Sequence, residues 1–271
     1  MSDHIVTFES PPVVEVIAGV SFAAYGTEMG ALLSAFWKER LRGRFPRLEQ
    51  QPPYAPPLEQ HSNEARAPLF NIDMSSVFPW VRLWASSSDG NEVLQLQPGW
   101  FACNWRKVKP EHEYDRWPSR RAAFSTAFSE LSDYLATEGV EHLSIQQCEV
   151  TYVNHIFASD LWTSHSQISA IFGQLVQPIE NLILEQAAVQ AQFSLVGKDG
   201  SRIGRLHTKI TPALGQDGQS LYVFELTARG APSVDELEGV LEFLDSGREA
   251  IDRAFVNMTT DEMHHEWGIQ S

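Results

Sequence analysis

Two stretches of the chain, Val13–Ala24 and Ile145–Ala158, are dense in apolar and β-branched residues, and each embeds a Glu-Val pair, Glu15-Val16 and Glu149-Val150. Runs of this length and composition read as largely buried strands. Elsewhere the apolar spacing becomes helical. Leu32, Leu33, Phe36, Trp37, Leu41 and Phe45 fall on one helix face, with Thr27 placed to cap it, Glu28 in its first turn and Pro46 to end it. Ser119–Glu138 carries Phe124, Phe128, Leu131 and Leu135 inward and meets its stop at Gly139. A shorter helical piece is expected from Ser164 to about Val176. A last long helix carries Leu237, Val240, Leu241, Leu244, Ile251 and Phe255 at core spacing, with Ser233 and Glu236 reading as a capping box.

Between these helices lie strand patterns punctuated by turns. Val77–Ala85 and Asn91–Gln97 flank Asp89-Gly90, and Trp100–Lys107 follows Pro98-Gly99. In the second half, strands are expected near 187–197, 201–211 and 219–229, broken at Asp199-Gly200 and Asp217-Gly218. The order β-α-β-β-β-α therefore occurs twice. It predicts an α+β fold of two duplicated halves, residues 1–140 and 141–271, with an antiparallel sheet and the long helices on one face, in a helix-grip or saddle-like arrangement. Residues 46–68 interrupt the first half with six prolines. Such a segment is too proline-rich for a hydrogen-bonded ladder, so it reads as an arm lying over the protein's own surface or over a second subunit, and a homodimer is expected.

Composition narrows the class of partner. The 271 residues carry a formal charge of -15, which argues against general binding to a phosphate backbone. Cys103 and Cys148 are far apart within apolar runs and read as buried, reduced thiols. The N-terminal residues show neither the basic nor the apolar stretch of a secretory signal, and no run is long enough to span a bilayer, so a cytoplasmic protein without a membrane association is expected.

Three stretches, Pro11-Pro12-Val13-Val14-Glu15-Val16, Asn104-Trp105-Arg106-Lys107 and Gln147-Cys148-Glu149-Val150-Thr151-Tyr152-Val153-Asn154-His155-Ile156, stand with a tail running from Phe255 through Thr259-Thr260 and Met263-His264 to Trp267-Gly268. Together they resemble a sporadically distributed bacterial family of uncharacterised proteins of about this length. The resemblance covers nearly the whole chain, and the run around Glu149 is its most specific part. Where that family tends to have Tyr-Pro-Arg-Tyr, this chain has Tyr114-Asp115-Arg116-Trp117-Pro118. The resemblance implies a shared fold unit and a bacterial origin, and the sporadic spread of that family allows an accessory role in a mobile or defence locus. It carries over no catalytic residue.

Candidate chemistry is sparse. Glu149, Thr151, Val153 and His155 share one face of their strand. Glu149 and His155 are roughly 20 Å apart by strand rise, too far to act as a pair. His155 reads as a hydrogen-bonded structural histidine. Arg205, His207 and Lys209 share a face of their strand, and Glu225, Thr227 and Arg229 line the same face from the next one. That pattern is read either as cross-strand ion pairs on a solvated sheet face or as a surface that binds an anionic group. The histidines His61, His112, His142 and His264-His265 lack metal-ligand spacing, and no phosphate loop or nucleophile motif is present, so neither a metal nor a cofactor is expected. The reading that results is a non-enzymatic binding module for a protein partner or small ligand, with Arg205, His207, Lys209, Glu149, His155 and Glu225 as candidate contacts. One alternative is an enzyme using glutamate and histidine acid–base groups between the halves. Another is a single-strand nucleic-acid binder that stacks bases on Trp100, Trp105 and Trp117.

Overall fold

The computed structural model describes residues 6–23, 28–55, 58–59, 81–177 and 179–270. The first half runs β1 (Thr7–Phe8), β2 (Val13–Phe22), α1 (Met29–Phe36), β3 (Arg47–Gln51), β4 (Arg82–Ser86), β5 (Glu92–Gln97), β6 (Trp100–Arg106) and α2 (Arg116–Thr137). The second half runs β7 (Ile145–Phe157), α3 (Ile168–Phe172), β8 (Val189–Val196), β9 (Arg202–Leu214), β10 (Ser220–Gly230), α4 (Leu237–Met258), α5 (Asp261–Glu266) and β11 (Ile269–Gln270). The hairpin turns form as their composition dictates. Asp89 and Asp199 each accept hydrogen bonds from the residues two before or after them, and Gly90 and Gly200 take positive φ values of 79° and 81°.

The strands form a nine-stranded antiparallel sheet in the order β3-β4-β5-β6-β2-β7-β10-β9-β8, with β1 and β11 paired separately. In each half the first strand is central, the last strand pairs with it, and the earlier ones follow outward. The two central strands pair in a register symmetric about Ile17 and Thr151, with Glu15 opposite Val153 and Gly19 opposite Glu149. On the outer flank of each, Glu15 has Arg106 as its lateral neighbour and Glu149 has Arg229. The long helices α2 and α4 cover one face only. Val16, Val20, Phe101, Val150, Leu206, Leu226 and Ala228 point into that layer, where Phe124, Leu131, Leu244 and Ile251 meet them. Alpha-helix α4 lies very close to the sheet. A Cβ on Gly247 would sit 2.8 Å from Val150 and 3.0 Å from Ala228, so a residue without a side chain sets the contact distance.

Several expectations need correction. Residues 47–51 of the proline-rich stretch do join the sheet: β3 pairs with β4, from Arg47 opposite Ser86 to Gln51 opposite Arg82. Its prolines bracket that strand at Pro46 and Pro52 and leave its own N–H groups intact, and β3 is the last strand in the order, where such neighbours are tolerated. Helix α1 also departs from its pattern. It ends at Phe36 and continues through Trp37–Leu41 as a wider π turn, with Arg42 N–H donating to the Trp37 carbonyl at 2.8 Å. The capping residue expected there, Thr27, lies outside the described residues. Ser233 does not cap α4. Its hydroxyl donates to Glu242 at 2.7 Å instead, and Glu236 precedes the helix in extended backbone. The capping box sits at Ser164 and Gln167, opening a short 3-10 turn, and the helix behind it stops at Phe172 because Gly173 turns out of helical geometry. The strand expected to begin at Val77 is described only from Arg82, since residues 60–80 fall outside the described part.

Candidate functional site

Strand alternation sends a second set of side chains to the face away from α2 and α4. In one cross-strand row stand Gly19, Glu149, Arg229 and Arg205, and in the next Asn104, Ile17, Thr151, Thr227 and His207. Of this face, only the β9 end, where Lys209 is exposed, fits the reading of a solvated surface; further in, the side chains are covered. Gln95, Gln97, Asn104, Gln147, Glu149, Thr151 and Thr227 are all buried, and Glu149 is only 4% exposed. Buried polar groups need partners, and here they form two networks. Arg82 donates to Gln95 at 3.0 Å, Gln95 to Asn104 at 2.8 Å, and Asn104 to the Glu15 carboxylate at 2.7 Å. Arg229 donates to the Glu149 carboxylate, while the Thr151 and Thr227 hydroxyls meet at 2.8 Å. Burial raises the pKa of Glu15 and of Glu149, against the opposing pull of Asn104 and Arg106 in the first case and Arg229 in the second.

Part of this cover is the arm itself. Tyr54 receives a hydrogen bond at its carbonyl from Gln97 at 2.7 Å and returns one from its N–H at 2.8 Å, so a single glutamine amide reads both backbone groups of one residue. The Tyr54 ring meets Trp100 edge-on at 5.3 Å, and the Arg82 guanidinium lies 5.6 Å from its centre. Trp100 in turn lies across Gly19, where a Cβ would come within 2.6 Å of the indole. Five residues further on, the Glu59 N–H donates to Gln147 at 2.8 Å. The Glu59 carboxylate then spans two donors, with Arg205 at 2.6 Å on one oxygen and His207 at 2.5 Å on the other. Burial pushes the Glu59 carboxyl up, but the hydrogen bonds from His207 and Arg205 outweigh it and hold its pKa below the ordinary range.

The six residues singled out by sequence therefore separate. Arg205 and His207, both on β9, converge on one carboxylate, Glu59, which comes from outside the sheet. Glu149 lies on the same face but is committed to Arg229. Glu225 is half-buried between the two networks and its charge raises both Glu15 and Glu149. Lys209 stands opposite Glu225 in register and is exposed. His155 lies toward the end of β7, edge-on to Phe157 at 6.1 Å, with burial lowering its pKa, and it does not join the cluster. The stacking platform also fails to form: Trp100, Trp105 and Trp117 are 2%, 3% and 6% exposed. Among the described residues no group of three or more histidine, cysteine or acidic side chains could hold a metal ion, and no helix is long and apolar enough to cross a membrane. Glu59, Tyr54, Gln97 and Gln147 were missed. The signal for Glu59 was charge complementarity, an acid stranded among prolines in the same chain as an otherwise unusual basic strand.

No family model matches the chain, and no curated protein or solved structure is significantly similar to it.

Proposed function

We propose that the protein is a non-enzymatic binding module whose far sheet face recognises an extended, acidic segment of a protein partner. Tyr54 and Glu59 of its own chain hold the place of that segment. The observation that carries this reading is the cradle around the Glu59 carboxylate, where Arg205 and His207 each donate to a different oxygen. Charge-assisted bonds of this kind contribute about 1.5–3 kcal/mol each when the site is sheltered from water. The rest of the contact has the form of peptide recognition. Gln97 and Gln147 bond to backbone, which any sequence offers, whereas Trp100 with Arg82 selects an aromatic ring and the cradle selects an acid. The tethered segment competes with any partner at an effective concentration in the millimolar range.

The same proposal includes two pseudo-equivalent halves descended from a duplication, supported by the matched strand order and the symmetric pairing of β2 with β7. It also includes membership of the sporadically distributed bacterial family, and self-association. For the last, β8 ends the strand order and presents Phe193 and Val196, 49% and 62% exposed.

The test is a titration of full-length protein with an acetylated peptide of residues 52–59, followed by fluorescence anisotropy. Glu59→Ala should bind it at least tenfold more tightly than the native chain, and replacing the peptide's glutamate by glutamine should remove the gain. Equal, weak binding by both proteins would overturn the proposal.

A further inference from the structure

On the opposite side of the sheet, under the helices, lies a cavity of about 600 Å³ that takes no part in the site above. It sits between the start of α2 and the middle of α4, with Tyr152 and Leu226 of the sheet as its floor. Cavities of this volume accommodate small organic ligands. Most of its wall is apolar, including Trp117, Leu226 and Phe255, but two polar pairs converge on it.

The first pair is Tyr114 and Tyr152, whose hydroxyls meet at 2.7 Å. One must donate to the other, which leaves the acceptor's own hydroxyl proton to offer. The second is Arg248 and Asp252 on α4, in contact at 2.7 Å. The contact runs from one terminal nitrogen of Arg248 to Asp252 Oδ2 and leaves Arg248 Nε a buried donor with no hydrogen-bond partner. A buried donor left unmet is a costly arrangement unless something completes it. The backbone adds an independent sign. Arg116, which opens α2 at the cavity wall, holds a φ of 72°, uncommon for a residue with a side chain, and its guanidinium donates to the Phe8 carbonyl at 2.7 Å. That bond fixes the N-terminal segment as one side of the cavity.

We propose that this cavity binds a small uncharged amphipathic molecule. Its apolar body would lie against Trp117, Leu226 and Phe255, and a head group that both donates and accepts, such as a primary amide, would face the tyrosine pair and the Arg248–Asp252 pair. The charges decide for a neutral head. Arg248 is matched by Asp252, Asp245 is held by Arg121 at 2.9 Å and by the Trp117 indole N–H at 2.8 Å, Glu249 faces Arg253 at 3.8 Å, and the Arg116 guanidinium is engaged by the Phe8 carbonyl. An added charge would enter a mostly apolar space without a counter-ion.

The experiment uses full-length protein and three ligands that share one aromatic body: 1-naphthaleneacetamide, 1-naphthaleneacetate and 1-(1-naphthyl)ethylamine. Calorimetry and saturation-transfer NMR should show the amide binding at one site with a dissociation constant below about 1 mM, as expected for a fragment of this size. The anion and the cation should bind at least tenfold more weakly. Val256→Trp, which fills the cavity from its half-buried wall, should abolish amide binding, and Tyr114→Phe should weaken it at least fivefold while leaving the circular dichroism unchanged. If Val256→Trp does not fold, Tyr114→Phe decides alone. No saturable binding of the amide, equal binding of all three heads, or undiminished binding by Tyr114→Phe would each overturn the proposal.

Discussion

Arg229→Met is the most informative perturbation of the buried polar face. It keeps much of the apolar stem and removes the charge that Glu149 faces, leaving that carboxylate 4% exposed with only the distant hydroxyl of Thr151, at 3.5 Å, for company. Breaking a buried pair from one side costs about 3–5 kcal/mol. A second route to the magnitude starts from protonation. Glu149 can escape the penalty by binding a proton, and holding a group with an ordinary value of 4.5 protonated at pH 7 costs about 3.4 kcal/mol, at about 1.4 kcal/mol per pH unit. The smaller figure is the ceiling, so the expected loss at pH 7 is about 3 kcal/mol. The sign of the pH dependence follows. A carboxyl whose folded pKa is raised contributes stability that is present below its unfolded value and lost as pH rises through the folded one. The deficit of Arg229→Met relative to the native protein should therefore shrink as pH falls from 7 to 5, by at most about 1.4 kcal/mol per unit. Urea melts across that range measure it, and Glu149→Gln combined with Arg229→Met should recover most of the loss. A deficit independent of pH, or one the double variant leaves untouched, would refute the reasoning.

Glu59→Gln should lose about 1–2 kcal/mol at pH 7. Because the native carboxyl is held below the ordinary value of 4.5, its contribution is present above that value and fades as pH falls through the lowered one, so urea melts of the two proteins should converge as the pH is taken down through and below 4.5. Gly247→Ala should destabilise despite gaining about 1 kcal/mol of helix propensity, because the new methyl lies 2.8 Å from Val150, and a loss of about 1–3 kcal/mol is expected in the same melts. Light scattering should find a dimer at tens of micromolar that Phe193→Lys converts to monomer with an unchanged melting temperature.

The sequence announced its elements where one physical signal was dominant. The helical period of Phe124, Phe128, Leu131 and Leu135 places α2 within a turn of its observed span, and the Asp-Gly turns locate the hairpins. The central strands were legible because their runs are dense in apolar and β-branched residues, but the sequence did not say that they pair with each other. What escaped were effects set by distant partners. β3 was dismissed because proline density was averaged over the whole stretch, whereas a ladder needs only the five N–H groups of Arg47–Gln51 to be intact. Ser233 and Glu236 had capping spacing, yet Glu242 competed for the serine hydroxyl. The basic strand was correctly grouped on one face, but its carboxylate partner lay 146 residues away along the chain, beyond the reach of any local pattern.

The account rests on the arm occupying the far face, and amide hydrogen exchange at Tyr54 and Glu59 tests that most directly. Both N–H groups are held by glutamine side chains, Gln97 and Gln147, at 2.8 Å. In the full-length protein they should exchange at least roughly tenfold more slowly than in the free peptide of residues 52–59, corresponding to a local opening free energy above about 1.4 kcal/mol. Adding that peptide in excess should remove the protection, as should Gln97→Ala at Tyr54. Exchange of both amides at free-peptide rates in the unliganded native chain would contradict the account.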